Sequence, residues 1–264
     1  MTLSFCSFSS GSSGNCYLIK SQNTALLVDA GISGKRILEG LEKTQTSREL
    51  LTGLLITHEH SDHTKSIKTL IKKEKGLRAY ANEKTWSKLD SGIVEEQRIT
   101  FLTGALLLIG DIEVKTFSVS HDAIDPVGYS FFYGGKQISI VTDTGCMNDE
   151  IISEIIDADI LILEANHDED MLKIGKYPWF LKKRVLGEQG HLSNIDAGKT
   201  ILRIVSENHK ERMILLAHLS RENNFPEMAY QTVKNILEES NYYIGSDIKL
   251  NTIIRDEISL IYQI

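Results

Sequence analysis

Residues 58–63 read His58-Glu59-His60-Ser61-Asp62-His63, which puts four candidate metal ligands, His58, His60, Asp62 and His63, within six positions. They follow directly on the apolar run Leu54-Leu55-Ile56-Thr57. Imidazole and carboxylate side chains suit zinc, manganese or iron, and a compact loop can present several of them on one side. The plainer alternative is an exposed polar loop. Three more groups of the same chemistry stand apart in the sequence: His121, Asp143 and His218. A workable division gives one metal His58, His60 and His121, the other Asp62, His63 and His218, with Asp143 bridging. Two metals about 3.5–4 Å apart can hold a shared hydroxide at neutral pH and stabilise an in-line displacement. The chemistry expected is therefore metal-assisted hydrolysis.

Such side chains must be delivered to one place, and the apolar runs show how. Ala25-Leu26-Leu27-Val28 ends in Asp29, and the run before Thr57 ends in His58. The run 114–120 ends in His121, 138–142 in Asp143, 160–163 in Glu164 and 213–217 in His218. Strand ends are where the loops of a sheet protein converge on a ligand. Six ionisable residues in this position point to one site rather than to scattered edge residues. Helical spacing of apolar residues predicts helices over 64–75, 148–156, 195–207 and 227–239. Alternating strands and helices throughout, three prolines and no linker-like or repetitive tract predict a single α/β domain over residues 1–264.

The remaining composition bounds the setting. With 41% hydrophobic and 25% charged residues the chain is of ordinary globular make-up. No apolar window approaches a membrane span, and Met1-Thr2-Leu3-Ser4-Phe5-Cys6 does not read as a secretory signal. Cys6, Cys16 and Cys146, an odd number without CxxC spacing, predict reduced thiols and a cytoplasmic protein. Cys146 is read as a plain thiol, with a stray ligand as the alternative. The net charge of −7 argues against a non-specific nucleic-acid coat, though not against a nuclease, since phosphates respond to local charge. Asp29 either orients a ligand histidine or stabilises a turn.

His58-x-His60-x-Asp62-His63, with Asp29 upstream and His121, Asp143 and His218 downstream, resembles the metallo-β-lactamase superfamily over essentially the whole chain. That resemblance implies an αββα sandwich: two mixed β-sheets flanked by helices, with two divalent ions, zinc or manganese, at one edge. Thr64-Lys65 departs from the small residues that glyoxalase II-type thioesterases carry there. Leu163-Glu164-Ala165-Asn166-His167, Gly190-His191-Leu192-Ser193 and Ala217-His218-Leu219-Ser220-Arg221 look like the matching segments of ribonuclease Z. The resemblance implies that Glu164 and His191 form a proton-delivery pair; a helix-entry role is the alternative for His191. Asp62 is counted both as ligand and among the catalytic residues. The segments 9–15, 177–182 and 190–194 are similar to the YycJ/WalJ group. This implies a cytoplasmic, metal-dependent 5′→3′ exonuclease on double-stranded DNA, related to DNA repair, and no membrane partner. No room exists between Asp143 and His218 for a β-CASP cap.

Candidate substrate contacts are Ser12, Ser13 and Asn15, in a Gly/Ser segment that reads as a phosphate nest or a plain turn. His167 joins them, with a surface or orienting role as its alternative. Lys65, Lys68, Lys72 and Lys75 form a predicted stripe, of which Lys68 and Lys72 are the expected DNA contacts. Trp179 and Lys182 stand in a basic, aromatic segment suited to bases and phosphates. A solvated face for the lysines and a core place for Trp179 are the competing readings. For the whole chain, the alternatives to a nuclease are a small-molecule hydrolase of a thioester, lactone or cyclic phosphodiester, and a non-catalytic scaffold.

Overall fold

A computed structural model describes residues 2–89, 92–245 and 248–264. The first strands are β1 (Ser4–Ser9), β2 (Cys16–Lys20), β3 (Ala25–Val28), β4 (Leu51–Leu55), β5 (Arg78–Asn82), β6 (Arg98–Phe101) and β7 (Leu106–Ile109). They are followed by β8 (Ile112–Ser118), β9 (Val127–Tyr133), β10 (Lys136–Val141), β11 (Ile160–Glu164), β12 (Arg212–Ala217), β13 (Ile248–Thr252) and β14 (Tyr262–Gln263). The α-helices are α1 (Gly34–Lys43), α2 (Ser61–Thr64), α3 (Ile67–Lys73), α4 (Glu83–Lys88) and α5 (Asp149–Ile155). Further along come α6 (Glu169–Ile174), α7 (Trp179–Leu186), α8 (Asn194–Glu207) and α9 (Pro226–Glu239). Among the described residues the strands form two mixed sheets of seven, flanked by helices, which is the expected fold class.

The chain separates into two compact units. The first comprises Met1–Ser118, Ala123–Lys136 and Asp256–Ile264. It holds a sheet ordered β14-β1-β2-β3-β4-β5-β6, antiparallel as far as β3 and parallel beyond it. The antiparallel strands β7, β8 and β9 belong to the same unit. In β8, Ile112, Val114 and Thr116 turn inward on one face, while on the other Glu113 faces water and Lys115 is half-buried. The Tyr129 hydroxyl on β9 donates to the Ile56 carbonyl just beyond β4 at 2.6 Å. The core includes Phe8, Leu27, Leu54, Ile67 and Trp86.

The second unit, Val119–Asp122 with Gln137–Arg255, is built on the parallel strands β10 to β13. The run Ile160-Leu161-Ile162-Leu163-Glu164 is buried along its length, the mark of a parallel strand covered on both faces. Helix α8 starts at a reciprocal cap: Ser193 Oγ accepts from the Asp196 amide at 3.1 Å and donates to Asp196 Oδ2 at 2.8 Å. It packs on α9, where Gly198 lets Ile236 approach closely.

One helix departs from the sequence pattern. The expected helix over 64–75 is broken at Ser66, leaving α2 and α3. The Ser66 amide donates to the Ala30 carbonyl at 2.8 Å, and the Ala30 amide to the His63 carbonyl at 2.7 Å. These tertiary bonds hold the segment against the β3–α1 turn in place of a continuous helical ladder. Lys65 and Lys75 consequently fall outside α3, and of the expected stripe Lys68 and Lys72 remain on its exposed side, with Lys73 beside them.

Candidate metal-ligand clusters

In the first unit the strand ends gather four of the candidate ligands. Asp29 follows β3 with φ 61°, a left-handed conformation that turns its carboxylate inward. Oδ1 accepts from the Thr57 amide at 2.9 Å, and Oδ2 from the Thr57 hydroxyl at 2.9 Å and His63 Nδ1 at 2.7 Å. Burial holds this carboxyl above its ordinary range, and the adjoining His63 and Thr57 only partly oppose that. With Nδ1 donating to Asp29, the His63 ring presents Nε2 on its other side. That atom lies 3.0 Å from Asn15 Nδ2 and 3.6 Å from Asp62 Oδ2. His58 Nδ1 is 3.0 Å from Thr57 Oγ1, and its Nε2 is 3.1 Å from His60 Nδ1.

The backbone of this cluster is clamped from below. The Asn15 amide donates to the Asp62 carbonyl at 2.8 Å, and the Gly31 amide to the Asn15 carbonyl at 2.8 Å. A Cβ on Gly31 would stand 1.6 Å from the Asp62 oxygen, so only glycine permits this approach.

The second unit arranges its groups around two carboxylates. Asp143 after β10 and His218 after β12 also take positive φ, 57° and 56°. Asp143 Oδ1 has three imidazole nitrogens about it: His218 Nε2 at 3.5 Å, His191 Nδ1 at 3.7 Å and His121 Nε2 at 3.8 Å. Glu164, fully buried at the end of β11, accepts on Oε1 from both His191 Nδ1 and His218 Nδ1, each at 2.8 Å. Its Oε2 accepts from the Thr144 amide at 2.8 Å and the Leu192 amide at 3.3 Å. Burial alone would raise the Glu164 carboxyl, but the charge and hydrogen bond of His191 outweigh it and hold the group at about 2. Burial likewise disfavours a charged His191, yet Glu164 lifts the ring to about 9. His121 is lowered, chiefly by burial, with Asp143 opposing; its Nδ1 donates to the Gly190 carbonyl at 3.0 Å.

These groups fit divalent ions on the chemistry of the donors. His63, His121 and His218 each have Nδ1 anchored on a carboxylate or carbonyl, which fixes the tautomer whose Nε2 lone pair a metal takes. In the second unit, Asp143, Glu164, His191 and His218 each offer a donor atom within 4.8 Å of the others. Imidazole with carboxylate accommodates zinc and manganese alike.

The other expected positions divide. Asn15 is buried on His63, and its Oδ1 accepts from the Gly11 amide at 2.7 Å, so the Gly/Ser segment folds as a turn that holds Asn15. Ser12 and Ser13 are exposed, and the Ser13 hydroxyl donates to Asp256 Oδ1. His167 is buried, neither ring nitrogen has a hydrogen-bond partner among the described residues, and burial lowers the ring to about 4. Lys182 turns inward and donates to the Lys173 carbonyl at 2.6 Å, so the cations that α7 exposes are Lys183 and Arg184. Trp179 is 64% exposed, which rules out its core reading. Cys146 is a half-buried free thiol.

Several positioning residues escape a sequence reading. Thr57 bridges Asp29, His58 and His63. Asn166 Nδ2 donates to the His218 carbonyl at 2.9 Å, and Asn224 Nδ2 to the Ala165 carbonyl at 2.8 Å. Adjacency to His58 and to His167 was the available signal for Thr57 and Asn166. None existed for Asn224.

The sequence profile described as "Beta-lactamase superfamily domain" matches residues 24–218. The chain is 38% identical over 254 residues to "Exodeoxyribonuclease YycJ" of Bacillus anthracis, covering 95% of each protein. It is 40% identical over 246 residues to "Exodeoxyribonuclease WalJ" of Streptococcus pneumoniae, covering 91% of this chain and 90% of that one. Among solved structures, the metallo-beta-lactamase fold protein YhfI of Bacillus subtilis superposes with a TM-score of 0.71 at 17% identity, over 98% of this chain and 99% of that one. That last likeness concerns the fold alone.

Proposed function

The chain belongs to the β-lactamase superfamily, with the YycJ and WalJ exodeoxyribonucleases among its relatives, and from that premise we propose that it is a metal-dependent 5′→3′ exonuclease acting on double-stranded DNA. Seven side chains would hold two ions, zinc or manganese: His58, His60, Asp62, His63, His121, Asp143 and His218. When bound, such a pair activates the attacking water and neutralises charge on the phosphoryl oxygens.

The observation that carries the phosphodiester reading is His191 on Glu164. A departing 3′ or 5′ oxygen needs a proton, whereas a thiolate leaving group does not. His191 Nδ1 is held by Glu164, which leaves Nε2 to deliver a proton to that oxygen. The charge of Glu164 favours the protonated ring that this step requires. Asp62, half-buried with its Oδ2 3.6 Å from His63 Nε2, would help to order the attacking water. The three free thiols support a cytoplasmic setting. Among the described residues no helix is long and apolar enough to cross a membrane.

The decisive assay supplies zinc and manganese in turn to the purified protein with end-labelled duplex DNA. A 5′ label should be released first as a mononucleotide. Hydrolysis of a thioester or lactone in the same buffers, with DNA untouched, would overturn the reading. A second expectation concerns α3. Lys68→Ala and Lys72→Ala should each weaken duplex binding without change in bound metal, and flatten the slope of log affinity against log salt by about 0.9. The loss should be alike for different DNA sequences, because phosphate contacts carry no base information. Unchanged slopes in both would remove α3 from the DNA-binding surface.

A further inference from the structure

The short helix α7 has the composition of a nucleic-acid contact and none of the burial expected of its aromatics. Its eight residues, Trp-Phe-Leu-Lys-Lys-Arg-Val-Leu, contain three cations and no acid, in a chain whose net charge is −7. At about 100° per residue, Trp179, Lys183, Phe180 and Arg184 fall on one face. Trp179 is 64% and Phe180 74% exposed, while Val185 and Lys182 supply the buried side. The Lys183 ammonium sits 5.5 Å from the Trp179 ring centroid.

This helix is tied to the candidate site through its own unit. The His191 amide donates to the Val185 carbonyl at 3.0 Å, closing the turn between α7 and His191. Gly190 in that turn accepts His121 Nδ1 on its carbonyl, and any Cβ there would strike the Arg184 and Val185 oxygens at 2.3 Å. Arg184 pairs with Asp122, the neighbour of His121. The exposed aromatic face and the two histidines are therefore parts of one rigid substructure.

We propose that the Trp179–Phe180 face of α7 is a stacking platform for unpaired nucleotides at the end of a DNA substrate, with Lys183 taking the accompanying phosphate. The proposal deepens the nuclease reading and rests on it. Adjacent, exposed ring planes cannot reach bases inside a duplex stack; they can receive bases that have left it. Stacking on aromatics beside a cation is how single strands are held without sequence preference.

The two tryptophans make the test direct. Trp86 is 8% exposed, so an added strand can quench Trp179 selectively. A phosphorothioate-linked oligothymidine, which resists cleavage, should quench the emission saturably. Trp179→Ala should lose the quench, and Trp179→Phe should bind the strand nearly as well as the parent when binding is followed by anisotropy of a labelled oligonucleotide. Phe180→Ala should weaken binding by about 5- to 150-fold, the range for loss of a base–aromatic stack. Lys183→Ala should flatten the salt slope by about 0.7. Equal affinity of parent, Trp179→Ala and Phe180→Ala, at unchanged melting temperature, would overturn the platform. So would a smaller species for Trp179→Ala than for the parent in gel filtration, which would make this face a contact between copies. Because the strand is uncleavable, failure of the parent to degrade native duplex counts against the nuclease reading alone.

Discussion

Asp143→Ala is expected to abolish hydrolysis and to leave the purified protein short of metal. Its Oδ1 stands among His121, His191 and His218, all within 3.8 Å, and is the carboxylate about which these rings are arranged. Alanine removes the charge that three imidazoles share and supplies no donor in its place. Losing several kcal/mol of charge stabilisation corresponds to a fall in turnover of about 10³-fold or more. Asp143→Asn is the useful companion, because asparagine tolerates the positive φ of this position and isolates the loss of charge from any backbone effect. Both variants should melt close to the parent when all are stripped of metal. Metal content by mass spectrometry and release of labelled nucleotide are the readouts. An Asp143→Ala protein that holds the parent's metal complement and turns over at a near-parental rate would refute the ligand assignment.

His191→Ala and Glu164→Gln should part company, and the reason is the shared oxygen on Glu164. His191 is bound through Glu164, so its removal should spare metal and fold while turnover falls by about 10²–10⁴-fold, as for a lost general acid. Glu164 does more, since Oε1 accepts from His218 as well as His191 and Oε2 from two backbone amides. A glutamine offers one oxygen and one amino group to these four donors, so at least one set meets a donor instead of an acceptor. Buried donors left without partners cost roughly 1–3 kcal/mol each. Glu164→Gln should thus melt lower than the parent, bind metal about 10–100-fold more weakly through the loosened His218, and turn over more slowly than His191→Ala. Metal titration of both variants separates the roles. Full metal affinity in Glu164→Gln, with turnover equal to that of His191→Ala, would mean that the His218 bond carries no weight.

Much of this architecture is legible in the sequence because several of its strands are buried on both faces. Runs such as Leu26-Leu27-Val28 and Ile214-Leu215-Leu216 have no other use, and the ionisable residue closing each run marks the strand end. The break at Ser66 was hidden, since the apolar spacing of Ile67, Leu70 and Ile71 continues a helical pattern that only the tertiary bonds to Ala30 interrupt. The double duty of Glu164 was hidden for a similar reason: His218 lies 54 positions away, and nothing local relates them. Trp179 and Phe180 show the converse limit. Aromatic residues in a segment with Val185 and Leu186 read more readily as core, and only the rotation of α7 turns them to the surface.

The left-handed backbone at Asp29, Asp143 and His218 has an evolutionary consequence. Each of these residues crowds its own Cβ against the main chain at a cost of roughly 1–2 kcal/mol, a cost that glycine does not incur. At three strand ends, then, the main chain favours a residue with no side chain, and only the chemistry favours aspartate or histidine. A lineage released from the need for that chemistry would meet its gentlest route of decay here, with the strands intact and these three side chains replaced by glycine.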